Sequence, residues 1–294
     1  MSALSDLIRE EIRSRGPMRF DRFMELALYH PQLGYYRRRD HDPFGKHGDF
    51  YTASQVQPVF GRVIAREIRN LRGRMGSPED FTVVELGPGR GEMAEALREF
   101  RYVPVEVGSD LPGSITGVVF SNEFFDALPV RVRAQIGDRW QERLVVAHND
   151  GFAFTPEHGE IVEELHERTQ EWMKRIAKSL HRGYVLTIDY GYTNREKIRF
   201  PLGTLMSYRA HHATEDVLAD PGGRDITSHV PFDVLRDTEG LDVESFETLS
   251  QFVTRLGKPD HFAGLVDKGF EEQLKTLLFG MGETFRVLLQ RKKP

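Results

Sequence analysis

The chain has 294 residues, 39% of them hydrophobic, which is sufficient for one large domain or two small ones. It contains no cysteine, which excludes disulfides, thiolate catalysis and cysteine-ligated zinc, and its scattered histidines predict no metal site. A net charge of −5 gives no support for binding to nucleic acid, and no apolar run approaches the roughly 18 residues of a membrane span. The first residues mix acidic and basic side chains, unlike a targeting peptide, so we predict a cytoplasmic location.

The first part of the chain has the periodicity of helices. Apolar residues recur at helical spacing in residues 4–13 and 20–29, which a Gly-Pro pair separates, and again in residues 56–71. We predict that residues 1–75 form an N-terminal helical cap or lid, ahead of a core formed by residues 76–294.

A glycine-rich segment begins that core. It runs from Glu85 through Gly87 and Gly89 to Gly91, after a short apolar run and before a helical pattern that starts at Glu92. Glycines at a strand-to-helix turn let a ligand approach the backbone, which predicts a nucleotide-type cofactor site, although a tight turn alone would explain them. A dinucleotide fingerprint needs its third glycine one residue later, and a P-loop needs Gly-Lys-Ser/Thr, so NAD and ATP are disfavoured.

The remaining pattern predicts an α/β core. A helical stretch covers residues 161–180, where we predict a long crossover helix. Short apolar runs predict buried parallel strands at 117–120, 184–188 and 204–208, and closing strands at 241–249 and 285–289. This alternation is typical of a doubly wound sheet.

A second pattern interrupts that core. Apolar and polar residues alternate in residues 130–136, and an Asn-Asp-Gly turn precedes a further apolar run at 152–154. We predict an inserted β meander at about 130–156, which is an edge ribbon, a homodimer arm or a wall of the substrate site.

Several blocks together resemble one family. The glycine segment has the acidic-x-Gly-x-Gly-x-Gly pattern of the first motif of S-adenosylmethionine (SAM) dependent methyltransferases. Together with the blocks at 29–36, 48–52, 122–129, 189–191 and 225–230, it resembles the MidA-type family of these enzymes. The resemblance implies a Rossmann-like core, SAM as cofactor and a protein substrate. Mitochondrial members of the family are arginine methyltransferases needed for assembly of respiratory complex I, so a respiratory complex subunit is a candidate substrate.

Two departures from the family pattern affect these expectations. Ser54-Gln55 replaces the usual Pro-Glu after the Gly-Asp-Phe block, which removes a carboxylate expected near the active-site lid. Only residues 108–116 separate the second and third core strands, too short a link to return along the sheet and also hold a crossover helix. We therefore predict that one strand-helix unit is deleted, together with the usual adenine contacts on that side.

Four positions outside the glycine motif are candidate cofactor ligands. Glu106 ends a strand about 20 residues beyond the motif, where nucleotide folds place an acid against the ribose, although it could be a solvent-facing carboxylate. Asn122 follows another strand and would bond the cofactor or the turn. The resemblance implies that Asp49 and Thr52 lie near the amino-acid end of SAM, where Glu85 suits the positive charge, and simple helix capping is the alternative for both.

The candidate catalytic residues are Glu123 and Asp126. Carboxylates three residues apart can share one side of a helical turn, and such a pair would hold a guanidinium; helix capping is the alternative. By resemblance alone, Asp189, Tyr190 and His229 would join the substrate side.

We predict a SAM-dependent methyltransferase that modifies an arginine side chain of a protein. The alternatives are a noncatalytic assembly protein that keeps the fold, a nicotinamide oxidoreductase, which the glycine spacing weakens, and a methyltransferase acting on lysine, another amine or a small cation.

Overall fold

The computed structural model describes residues 2–38, 57–256 and 270–293. The helices are α1 (Ala3–Arg15), α2 (Phe20–Tyr29), α3 (Val59–Arg74), α4 (Glu167–Ser179), α5 (Phe232–Arg236), α6 (Leu249–Leu256) and α7 (Phe270–Lys275). The first eight strands are β1 (Met18–Arg19), β2 (Thr82–Leu86), β3 (Arg101–Val105), β4 (Ile115–Asn122), β5 (Arg131–Ile136), β6 (Arg139–Glu142), β7 (Leu144–His148) and β8 (Gly151–Thr155). The others are β9 (Ile161–Leu165), β10 (Leu180–Tyr192), β11 (Met206–Arg209), β12 (His212–Thr214), β13 (Asp225–Thr227), β14 (Val230–Pro231), β15 (Leu241–Thr248) and β16 (Phe285–Lys292).

The chain folds into two compact units. The first comprises Met1–Tyr51, Asp126–Thr169 and Tyr192–Pro231, and the second comprises Thr52–Phe125, Gln170–Gly191 and Phe232–Pro294. These units do not coincide with the predicted division of the chain at residue 75, which stays a prediction.

The second unit contains the α/β sheet. Its strand order is β15-β16-β10-β4-β2-β3, with β3, β2, β4 and β10 parallel and with β16 antiparallel to both β10 and β15. All five residues of β2 are buried, because it is a central strand. Helix α3 contributes Phe60, Ile64 and Ile68, spaced four residues apart on one face, to the same core. Each such buried side chain contributes about 1.5–3 kcal/mol relative to an exposed one.

The connection from β3 to β4 is unusually short. All residues between Val105 and Ile115 are described, and they contain no helix or further strand. Among the described strands, β3 pairs only with β2, and β4 pairs with the other side of β2. Because these three strands are parallel, the link runs back from the carboxyl end of β3 to the amino end of β4. The link therefore contains no crossover helix, as its length predicts, and β3 is the last of the described strands on that side of the sheet. The deletion relative to the family stays a prediction.

The first unit combines α1 and α2 with three small antiparallel sheets. The strand orders are β1-β7-β8, β6-β5-β9 and β12-β11-β13. Strands β5 to β8 lie where the β meander is predicted, but they form two hairpins, β5-β6 and β7-β8, in separate sheets. Leu4, Ile8 and Ile12 of α1 pack in one core with Phe20 and Phe23 of α2, which confirms the predicted helix pair.

Three predicted elements are wrong in detail. Residues 161–165 form β9, and only Glu167–Ser179 is helical. β9 pairs antiparallel with β5, and Val162 is buried in one core with Val132 and Ala134, so tertiary pairing overrides the helical pattern. Residues 206–209 form β11, which is antiparallel and belongs to a small sheet. The segment after Gly91 forms successive turns rather than a regular helix. Within the described ranges, helices long and apolar enough to cross a membrane are absent.

Candidate active site

The candidate site lies at the carboxyl ends of the parallel strands of the second unit. Leu86 of β2 is in register with Val105 of β3 and Ser121 of β4, and Asn122 is in register with Ile188 of β10. The residues that follow these positions therefore leave the sheet side by side, at the carboxyl ends of the parallel strands. Open α/β sheets bind their ligands at these strand ends.

The glycine loop has the backbone conformation that the sequence predicts. Gly87, Gly89 and Gly91 have φ angles of 63°, 58° and 80°, a region that glycine enters without a steric penalty. A Cβ atom at Gly87 would lie 2.9 Å from Cδ2 of Phe124, so the β4 loop packs directly on the glycine loop. A side chain at this position would have to displace an aromatic ring.

Glu85 is a buried acid at the end of β2. Its side chain is 3% exposed and accepts a hydrogen bond of 2.5 Å from the hydroxyl of Tyr102 on the neighbouring strand. Burial raises the pKa of Glu85 to about 7, although the Tyr102 hydrogen bond opposes that shift. Part of the population is thus protonated near neutral pH, and a positively charged ligand would favour the carboxylate.

Two more carboxylates lie near the glycine loop. The negative charges of Glu92 and Glu106 both contribute to the raised pKa of Glu85. Glu92 also accepts a hydrogen bond of 3.1 Å from the backbone N–H of Arg90, a donor that a phosphate could otherwise use. Negative charge at this position disfavours a phosphate and favours a cation such as the amino and sulfonium groups of SAM.

Asn122 and Glu123 form the turn at the end of β4. Glu123 has a φ of 51°, a strained conformation for a residue other than glycine, and its N–H donates to the carbonyl of Ile188 at 3.0 Å. The amide of Asn122 donates to Oε1 of Glu123 at 3.0 Å. The Oδ1 atom of Asn122 is buried and has no hydrogen-bond partner among the described residues. An acceptor of this kind fits a donor supplied by a ligand.

Asp189 holds the same turn from β10. Its carboxylate is completely buried and accepts the backbone N–H groups of Phe125 at 3.1 Å and of Tyr190 at 2.9 Å. Tyr190 packs against Phe285, with ring centroids 5.4 Å apart. The contacts of Asp189 orient the backbone after Glu123. Asp189 and Tyr190 therefore both have a structural role at this site.

The other predicted site residues have different surroundings. Glu106 follows β3 and is partly exposed, and Asp49 and Thr52 lie outside the described residues. Asp126 belongs to the first unit, and residues 123–128 form bends and turns, so the predicted helical turn carrying Glu123 and Asp126 is wrong. His229, also in the first unit, packs its ring against Phe200 at 5.1 Å. The described residues contain no group of three or more His, Asp or Glu side chains that could hold a metal ion.

Known proteins similar to this chain have a consistent description. The family model described as "Putative S-adenosyl-L-methionine-dependent methyltransferase" matches residues 104–247. The mitochondrial protein arginine methyltransferase NDUFAF7 homolog of Drosophila melanogaster is 27% identical over 80% of this chain and 69% of its own length. The human NDUFAF7 protein is 25% identical over 96% of this chain and 79% of its own. A Burkholderia thailandensis structure with bound S-adenosyl-homocysteine has a TM-score of 0.89 and 26% identity, covering 99% of this chain and 92% of its own.

The sheet, the glycine loop and these similarities define a SAM-dependent methyltransferase, with SAM as its cofactor. The glycine loop, Glu85 and the buried oxygen of Asn122 fit that cofactor. Within this class, the resemblance to the MidA-type family predicted from the sequence blocks is confirmed.

The predicted cytoplasmic location is wrong, because the curated relatives are named as mitochondrial proteins. The mixture of acidic and basic side chains in the first residues, on which that prediction rested, does not specify a compartment.

Sequence reasoning missed Tyr102 as the hydrogen-bond donor to Glu85. Residues 85 and 102 are far apart in sequence, and only the pairing of β2 with β3 brings them together. An available signal was the tyrosine near the start of a mainly apolar strand, since a tyrosine that packs against a core needs a partner for its hydroxyl.

Proposed function

We propose that the protein transfers the methyl group of SAM to a guanidinium nitrogen of an arginine side chain in a protein substrate. The names of the curated relatives support this acceptor. The observation that carries it is the strained turn at Glu123, whose carboxylate is oriented by Asn122 at the same edge as the glycine loop.

The residues of the second unit would divide the work as follows. SAM supplies an activated methyl group, whose transfer to nitrogen yields S-adenosylhomocysteine and releases one proton. Gly87, Gly89, Gly91, Glu85, Glu106 and Asn122 would hold the cofactor. Glu123 would accept hydrogen bonds from the guanidinium, orient one nitrogen and stabilise the positive charge on the rest of the group.

The hydrogen bond from Asn122 limits how Glu123 can rotate. The backbone on either side of Glu123 is also tied to β10, through the Ile188 carbonyl and the Asp189 carboxylate. A fixed carboxylate loses less conformational entropy when substrate binds, which is the expected reason for tolerating positive φ at this position.

The test is transfer of the labelled methyl group of SAM to arginine-containing proteins and peptides, followed by identification of methylarginine after hydrolysis. We expect Glu123→Gln to lower kcat at least 100-fold and to change the Kd for S-adenosylhomocysteine less than threefold. The matched control is Asp110→Asn, which changes a fully exposed carboxylate of the same unit. Label on lysine, or full activity of Glu123→Gln, would contradict the proposal. No transfer by the folded wild type to any of the proteins and peptides would favour the noncatalytic alternative.

Two finer parts of the proposal concern partners. A respiratory complex subunit is the first substrate to test, because mitochondrial relatives carry the arginine methyltransferase name. A homodimer through the inserted strands is supported by the partly exposed side chains of Ile136, Trp140 and Ile161 on β5, β6 and β9. Sedimentation velocity of the wild type and of Trp140→Ser would test it, and a monomeric wild type would reject it.

A further inference from the structure

The first unit contains a group of tyrosines and aspartates that the proposed catalytic chemistry does not use. We call Tyr29, Tyr36, Asp126, Tyr208 and Asp225 the tyrosine–aspartate cluster. The hydroxyl of Tyr36 donates to Oδ1 of Asp225 at 2.8 Å. The ring of Tyr29 stacks on that of Tyr36, with centroids 5.7 Å apart and planes at 27°. Tyr208 of β11 is paired with Asp225 of β13.

The negative charge of Asp126 acts on the same two phenols as that of Asp225. Burial raises the pKa of Tyr36 first, and the negative charges of Asp225 and Asp126 raise it further. Burial also raises the pKa of Tyr208, followed by the charges of Asp126 and then Asp225. Asp126 precedes Ala127, whose carbonyl accepts the hydroxyl of Tyr29, and Tyr29 stacks on Tyr36, so Asp126 belongs to the same cluster.

The backbone around Asp126 is fixed within the same unit. The carbonyl of Asp126 accepts the N–H of Ser228 at 2.9 Å, and the hydroxyl of Tyr29 donates to the carbonyl of Ala127 at 2.9 Å. Asp225 also accepts the N–H of Ile226 at 2.9 Å. Four separate parts of the chain therefore hold the cluster in one arrangement before any ligand binds.

The burial of the cluster is graded. Asp126 is 5% exposed and Asp225 is 2% exposed, whereas all three tyrosines remain partly exposed. Two buried carboxylates thus belong to one cluster with three partly exposed tyrosines. Aromatic faces attract cations, and a guanidinium combines ring stacking with hydrogen bonds to carboxylates better than an ammonium does.

We propose that the tyrosine–aspartate cluster binds a cationic side chain of the protein substrate, with a guanidinium as its preferred ligand. This inference rests on the proposed arginine methylation for the nature of the substrate. It assigns Asp126 to recognition of substrate rather than to methyl transfer, and it adds Tyr29, Tyr36, Tyr208 and Asp225 to the residues that determine specificity.

The test measures binding of fluorescein-labelled glycine-rich nonapeptides to the full chain by fluorescence polarisation. One peptide carries a single arginine, the second carries lysine, and the third carries citrulline, the neutral isostere of arginine. We expect the wild type to bind the arginine peptide at least tenfold more tightly than the citrulline peptide. Asp225→Asn should weaken arginine-peptide binding at least tenfold, and Tyr36→Phe should weaken it at least threefold.

Two controls separate recognition from folding. Each variant should bind S-adenosylhomocysteine within twofold of the wild type and keep its thermal midpoint within a few degrees. Tyr192→Phe is the matched control, because Tyr192 is a buried tyrosine of the same unit, and Glu164 and Glu163, not the cluster, are the charges that raise its pKa. It should not change peptide binding.

The outcomes separate this inference from the proposed function. Unchanged arginine-peptide affinity in folded Asp225→Asn and Tyr36→Phe, or equal wild-type affinity for the arginine and citrulline peptides, would overturn the inference even if arginine is methylated. Cluster-dependent binding without any methylarginine would sustain the inference and reject the proposed acceptor. If Asp225→Asn fails to fold, Tyr36→Phe, which keeps the ring, decides the question.

Discussion

The two units place their chemistry in different ways. In the second unit, the site residues lie at or just after the carboxyl ends of two buried parallel strands: Glu85 and Gly87 at β2, and Asn122 and Glu123 at β4. Sequence motifs at strand ends therefore identify residues that are also neighbours in space. In the first unit, the cluster residues come from a helix end, a turn and two short antiparallel strands. Parallel strands align their carboxyl ends automatically, whereas small antiparallel sheets give no common edge.

The comparison suggests that the two units bind different ligands. Negative charge and positive-φ glycines at one strand edge suit a cationic cofactor that approaches the backbone. Partly exposed tyrosines grouped with buried carboxylates suit a cationic side chain. Each of the following changes tests this division of labour, beginning with the largest expected effect.

Gly87→Val should abolish cofactor binding. The substitution places a β-branched side chain at a φ of 63° and its Cβ 2.9 Å from the ring of Phe124, so the glycine loop must move. We expect the Kd for S-adenosylhomocysteine to rise at least 100-fold by isothermal titration.

The matched control for this change is Gly113→Val in the same unit. Gly113 does not have positive φ, and an added Cβ there would meet no heavy atom within 4 Å among the described residues. Arginine-peptide binding measured without cofactor should stay within twofold of wild type in Gly87→Val. A parallel loss of both ligands would break the comparison between the two units.

Binding of SAM should strengthen with pH because of Glu85. Its pKa of about 7 means that ionisation rises roughly tenfold between pH 6 and pH 8, and only the carboxylate attracts the cation. We expect the Kd for SAM to fall about tenfold over that range by isothermal titration. Glu85→Gln should bind SAM more weakly and with a flatter pH profile, and an equally steep profile in this variant would assign the titration to another group.

The raised pKa of Glu85 affects stability in the opposite direction to cofactor binding. The folded carboxyl binds its proton more tightly than the unfolded one, so without cofactor this group lowers the free energy of unfolding as pH rises from 4.5 through about 7.

The smallest expected effects come from one buried hydroxyl in each unit. Thr187 on β10 and Ser207 on β11 are completely buried, and neither hydroxyl has a hydrogen-bond partner among the described residues. Because an unsatisfied buried hydroxyl is unfavourable, Thr187→Val and Ser207→Ala should raise the free energy of unfolding in urea by about 0–1 kcal/mol. A loss of more than about 1 kcal/mol in either variant would show that its hydroxyl is satisfied.

Much of the second unit could be predicted from sequence, because its signals are local. Apolar runs marked β2, β4 and β10, and the length of residues 108–116 alone excluded a crossover helix between β3 and β4. The predictions at Ile161 and Glu92 were wrong where short-range periodicity fits more than one structure. Which of these forms occurs depends on pairing with β5 in the first case and on the turns of the glycine loop in the second.

The sequence by itself determined the class of enzyme, the cofactor and the residues of the glycine loop, since spacing along the chain decides whether a backbone can approach SAM. Only the tertiary structure decided that Tyr102 donates a hydrogen bond to the buried acid Glu85, that Asp189 holds the turn after Glu123, and that Asp126 belongs to one cluster with Tyr36 and Tyr208. These contacts join residues far apart in sequence, and their strength depends on burial and distance, which no local pattern encodes.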